Sequence, residues 1–150
     1  MVGELAKELE SFEIGKEAYI FAYPLMTMEL TRRTSTNVVA PVGTTAPMGQ
    51  FARLRQYPDA TFTTVTAPNA DTLYTSGFFD ISKEPWIVTV PDMQGRYYLF
   101  PMLDGWTDVF QVPGKRTTGT GAQKYAITGP GWKGDLPTEV TEYASPTGLV

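Results

Sequence analysis

The sequence predicts an α+β fold, with an N-terminal kinked helix packed on an antiparallel β-sheet or sandwich. Three observations carry this. Residues 12–33 are apolar at helical spacing, residues 61–128 hold short alternating apolar segments, and Gly, Pro and Asp punctuate those segments every few residues. At 150 residues with 42% hydrophobic and 19% charged content, the chain suits one domain with its own core. Its expected parts are a helical cap at 1–36, a wrapping loop at 37–67 and an antiparallel region at 61–150.

In the cap, residues 3–10 form a charged lead-in, and Ser11 is a candidate N-cap with Glu13 in the first turn. One apolar stripe follows through Ile14, Ala18, Phe21, Leu25 and Met28, and a second through Tyr19, Tyr23, Met26 and Leu30. Two stripes make the helix apolar over most of its surface, so other protein is expected to cover it. Pro24 offers no N–H to the carbonyl of Ile20 and predicts a kink. Arg32 and Arg33 suit the negative end of the helix dipole.

Turn formers dominate 35–70, with a short helical turn within "MGQFARLRQYPDA". Strands are expected at "TFTTVT" (61–66), at 73–80, 85–90 and 96–103 as a meander, and at "WTDVFQV" and "QKYAITG". The closing Gly-Leu-Val reads as the opening of a further strand, so the chain is expected to be the N-terminal portion of a longer protein.

Composition narrows the chemistry. The chain has no cysteine and no histidine, which removes thiol nucleophiles, disulfides, imidazole bases and the usual zinc ligands. Its net charge of −4 and lack of a basic cluster argue against nucleic acid as partner. The most apolar segment is short and contains Pro24, so no membrane span is expected, and the N-terminus has no secretory pattern. These features predict a soluble protein, cytoplasmic or, with a leader missing, periplasmic or secreted. No cofactor or metal ligand set is evident.

Three stretches draw attention. "PNADTLYTSGFF" places Asn69 and Asp71 on a proline-led turn before a strand, with Tyr74 close by. The meander would return Arg96 to the same sheet end, giving an Asp71–Arg96 ion pair that either fixes the sheet end or holds a ligand. Asn69 is equally an ordinary Asx-turn residue. In "LFPMLDGWTDVF", Trp106 beside Asp104 and Asp108 is a sugar-stacking platform or a core anchor. "GKRTTGTGAQK" has a Gly-x-Gly and basic residues, but lacks a Gly-Lys-Ser/Thr and a following helix, so it reads as a hairpin loop.

The ordered blocks "EAYIFAYPLMTMELT", "QYPDATF", "PNADTLYTSGFFDIS", "VTVPDMQGRYYLFPMLDGWTDVF", "GPGW" and "ASPTGLV" resemble the bacterial and archaeal family known as domain of unknown function 1254. The matching motif positions are Pro68, Asn69, Asp71, Thr72, Tyr74, Arg96, Tyr97 and Asp104. The resemblance implies a helix-capped β-sandwich and, as partner, a C-terminal jelly-roll-like domain of the same longer protein (domain of unknown function 1214). It implies no settled catalytic residue. Two functions stay open. One is a binding or structural module for a polar small molecule, carbohydrate or partner domain, with Asn69, Asp71, Tyr74, Arg96, Tyr98, Asp104 and Trp106 as candidate ligand contacts. The other is a carboxylate-based hydrolase or lyase, acting with the C-terminal domain.

Overall fold

The computed structural model describes residues 2–63 and 65–150. It has one helix followed by small sheets, an α+β arrangement. Helix α1 spans Val2–Thr36, strand β1 Ala52–Arg53, β2 Thr75–Ser76, β3 Trp86–Val90, β4 Met102–Leu103, β5 Val109–Gln111, β6 Gln123–Thr128 and β7 Thr141–Ala144.

Helix α1 is continuous through Ser11 and Pro24, so Ser11 caps nothing and the expected lead-in belongs to the same helix. Apart from Gly3, Gly15 and Pro24 it lacks breakers, and good helix formers carry it across residue 11. Ion pairs support its flank at Glu13–Lys16 and at Glu29 with Arg32 (2.7 Å) and Arg33 (2.6 Å). Hydrogen bonds from both guanidinium groups hold the Glu29 carboxyl down at about 2.

The expectation that protein covers this helix is corrected. Every residue from 3 to 21 is exposed, and Phe12, Tyr19, Ile20 and Phe21 keep 63–72% of their surface in water. The helix meets the rest of the chain toward its C-terminal end. The Phe21 ring lies 5.1 Å from that of Trp106, Leu25 lies beside Gly105, and Ala46 N–H donates to the Ser35 carbonyl (3.1 Å). A helix apolar on both stripes needs cover on several sides, and the contacts here engage one.

The sheet system departs from the expected meander. Strand β3 pairs antiparallel with β6, from Trp86↔Ile127 to Val90↔Gln123, and β6 pairs parallel with β7, making the order β3-β6-β7 mixed. Segment 96–103 instead folds back on 109–114 through a tight turn, with a bridge at Leu99↔Gly114 and pairing of β4 with β5. Segment 73–80 is split between two partners. Its first part pairs with β1, where Ala52 faces Ser76. Its end pairs with the C-terminus, where Phe79 and Val150 exchange hydrogen bonds of 2.7 and 3.1 Å. Period-two patterning selects strand conformation and buried face, but the same pattern satisfies any partner.

Residues 61–63 and 65–66 are not strand, and Thr64 in that expected strand lies outside the described residues. Asp59 Oδ1 accepts from both Thr61 N–H (2.8 Å) and Thr61 Oγ1–H (2.6 Å), which commits the segment start to a turn. Conversely, Ala52–Arg53 is a strand where a helical turn was expected.

The core lies under β6. Tyr125, Ala126, Ile127 and Thr128 are all buried, and Phe79, Ile81 and Met102 join Tyr125 and Ile127 in one cluster. Strand β3 alternates, with Trp86, Val88 and Val90 against the core and Ile87 and Thr89 outward. Phe79 is packed between Phe51 and Trp86, each ring centroid 5.0 Å away. Behind Gly129 the backbone of Ile81 passes so close that a Cβ would stand 2.3 Å from its carbonyl oxygen.

Burial pushes the Tyr125 hydroxyl up to about 12, and burial raises Tyr143 as well. The unfolded chain releases the Tyr125 proton near its ordinary value of 10. Between about pH 10 and 12 the unfolded state binds fewer protons than the folded one, so this contribution to stability is lost as pH rises. Urea denaturation at stepped pH is expected to show a shallower alkaline loss of stability in Tyr125→Phe than in the parent, with a residual slope from Tyr143. Identical slopes would refute the buried neutral phenol.

Candidate functional site

The Pro68–Ser76 segment builds its own geometry. Asn69 Oδ1 accepts the Asp71 N–H (2.6 Å), an Asx-turn. The Asn69 amide nitrogen then donates to Tyr74 Oη (2.7 Å) and Thr72 Oγ1 (3.1 Å). One side chain therefore shapes the turn and fixes the Tyr74 phenol over it. Pairing of 49–54 with 74–78 holds the segment in place, through Leu54 N–H to the Tyr74 carbonyl (2.9 Å) and Gly49 N–H to the Phe78 carbonyl (2.8 Å). Gly77 permits that approach, since a Cβ there would lie 2.6 Å from the Gln50 carbonyl oxygen.

A cavity of about 280 Å³ opens here, with Leu54, Phe62 and Pro68 as apolar wall and Asn69, Thr72, Tyr74 and Gln56 as polar wall. That is near the lower size of small-molecule sites, and its mixture of walls resembles theirs. Two larger cavities, about 460 and 600 Å³, lie along β1 and the loop after it, and both are lined by Val42, Gly43 and Arg53.

Asn69 and Tyr74 are thus brought together, and the remaining candidates go elsewhere. Asp71 is exposed, and the expected Asp71–Arg96 pair does not form among the described residues; Arg96 Nε donates instead to the Met93 carbonyl (2.9 Å). The pair depended on the meander, and without it Arg96 closes its own turn. Tyr98 points to the core. Its hydroxyl is buried beside those of Tyr125 and Tyr143.

Asp104 is 3% exposed. Its Oδ1 accepts the N–H groups of Trp106 (2.8 Å) and Asp108 (3.0 Å), closing the turn in which Thr107 adopts a left-handed φ of 71°. Gly105 N–H donates to Thr147 Oγ1 (2.8 Å), tying this turn to the C-terminal segment. Trp106 spends its ring on Phe21. Asp80 accepts from Ser82 Oγ–H (2.6 Å) and Ser82 N–H (2.9 Å), which lower its pKa. Loop 114–121 wraps on itself, with Thr118 and Gly119 N–H groups directed to the Gly114 carbonyl. No group of three or more Asp or Glu fit to hold a metal occurs among the described residues.

Arg53 and Arg55 were not among the candidate ligand contacts read from the sequence. The available signal was the alternation Ala52-Arg53-Leu54-Arg55, which as a strand sends both cations to one side.

The fold defines an α+β protein with a polar turn beside a string of clefts. Residues 48–150, more than half of the chain, match the family described as Protein of unknown function (DUF1254), and the chain belongs to that family. No curated protein matches it. Among solved structures, the crystal structure of the VPA0106 protein from Vibrio parahaemolyticus is similar, with a TM-score of 0.65 and 25% identity over 91% of this chain. The match spans 31% of the Vibrio chain, so this chain corresponds to about a third of that protein. Among the described residues, no helix is long and apolar enough to cross a membrane.

The two carboxylates predict opposite outcomes. Asp104→Ala leaves two N–H groups of a buried turn without an acceptor and is expected to cost about 2–4 kcal/mol. Asp71→Asn removes no contact and is expected to stay within about 0.5 kcal/mol of the parent. Urea denaturation of both variants checks this; a large loss in Asp71→Asn would restore the structural ion pair.

Proposed function

We propose that this chain is an interaction module whose helix α1 docks a partner domain of the same, longer polypeptide. The supporting observation is the uncovered apolar surface of residues 12–30, where Phe12, Tyr19, Phe21, Tyr23, Met26 and Leu30 keep 52–72% of their surface in water. Contiguous apolar surface of this extent is the mark of an interface. The fraction of the Vibrio chain matched supports the choice of partner, since about two-thirds of that polypeptide lies outside the match. A jelly-roll-like C-terminal domain, as the family resemblance implies, would supply such cover.

Hydrogen exchange tests this on the 150-residue chain and on the same chain extended by its downstream sequence. Amides of residues 12–30 are expected to gain at least tenfold protection in the longer polypeptide. Equal protection in both would refute the docking role.

The cleft beside Asn69 supports a second reading, a site for a polar small molecule or carbohydrate. Its polar groups are already held in fixed positions by one another, which lowers the cost of ordering them around a ligand. A thermal-shift screen with sugars and polyols is expected to find a ligand that stabilises the parent and loses that effect in Asn69→Ala. An unchanged response in the variant would exclude this cleft.

A further inference from the structure

We propose that the groove along β1 binds a small organic carboxylate, with Arg53 and Arg55 as its cationic contacts. The two residues stand two apart on an extended segment and line the same cavity of about 600 Å³; Arg53 also lines the adjoining one of about 460 Å³.

The fate of the chain's other arginines sets these two apart. Arg32 and Arg33 engage Glu29, Arg96 bonds the Met93 carbonyl, and Arg116 lies 5.6 Å over the Tyr97 ring. The side chains of Arg53 and Arg55 have neither an ion pair nor a hydrogen bond among the described residues. In a chain with net charge −4, carboxylates are plentiful, yet two neighbouring cations remain unneutralised. The one carboxylate of the groove is Asp59, and its Oδ1 is held by Thr61, whose bonds rather than either arginine account for its lowered pKa.

The remaining walls choose among anions. Guanidinium forks match carboxylate and phosphate alike. Tyr57 and Phe62 line the same cavity and offer contact to a carbon skeleton, which inorganic phosphate lacks. The opposite rim is pinned, since Val42 and Thr45 exchange backbone hydrogen bonds of 2.9 and 3.0 Å across Gly43. Two arginines in an otherwise acidic molecule suit a small ligand rather than a polyanion. The inference uses different side chains from those of α1 and of the Asn69 cleft, so it stands apart from both.

Isothermal titration calorimetry of the 150-residue chain with succinate, benzoate and inorganic phosphate is the test. Saturable carboxylate binding is expected, weakened at least tenfold in Arg53→Gln and in Arg55→Gln and unchanged in Arg116→Gln. Both groove arginines are exposed, so all three variants are expected to melt with the parent when no ligand is added; a variant that does not is replaced by the matching Lys substitution, which keeps the charge but loses the fork and is expected to bind at least threefold more weakly. Absence of carboxylate binding, binding indifferent to both groove substitutions, or binding of phosphate as tight as that of either carboxylate would overturn the proposal.

Discussion

Strand β6 is the constraint on which the rest depends. It is hydrogen-bonded on both edges, antiparallel to β3 and parallel to β7, and its residues 125–128 are buried on both faces. A strand so placed leaves no side open to water, which explains the run Tyr-Ala-Ile-Thr in place of alternation. Its one hydroxyl on that run outside Tyr125, Thr128 Oγ1, donates to Glu142 Oε1 on β7 at 2.8 Å. Where β6 ends, Gly129 lets the Ile81 backbone pass directly behind. Any side chain there would push apart the segments that carry Phe79 and Ile81 into the core.

From this centre outward, order is imposed by successive local devices. Asp104 draws two N–H groups into a turn, which sends β5 back along β4. Thr147 ties that turn to the C-terminal segment, accepting from Gly105 and donating to the Leu149 carbonyl (2.9 Å). The C-terminal segment in turn pairs with Phe79 and Ile81. The residues that looked catalytic in isolation are therefore mostly occupied: Asp104 and Asp80 as acceptors for their own turns, Trp106 against the helix, Tyr98 in the core.

The strands were legible in the sequence where composition and periodicity coincide, as at 86–90 and 123–128. Their partners were not. The segment 96–103 has the same alternation whether it pairs with 85–90 or with 109–114, and the deciding signal, the Asp104 carboxylate bonding two N–H groups ahead of it, is tertiary detail within a five-residue turn. The β-rich composition of 61–63 and 65–66 was outvoted by the flanking prolines and the Asp59 turn. The Asn69 turn was legible because an Asx-turn is local. Arg53 was hidden because "FARLRQY" carries a helical turn and a strand about equally well.

Two demands are left unmet within the described residues, and their sizes differ. Fully burying a large apolar side chain is worth roughly 1.5–3 kcal/mol. Apolar residues of α1 that keep more than half of their surface in water, Phe12, Ile14, Tyr19, Ile20, Phe21, Tyr23, Met26 and Leu30 among them, therefore represent a driving force on the order of several kcal/mol, enough to make a lasting contact. A pair of exposed arginines gains only about 0–1 kcal/mol from each surface ion pair, rising when a fork is matched and partly desolvated. That range suits a ligand that comes and goes. As proposed, the apolar helix serves assembly and the β1 groove serves exchange. None of α1 residues 12–30 lines the cavities that hold Arg53 and Arg55, so a partner seated on those helix residues need not occupy either arginine.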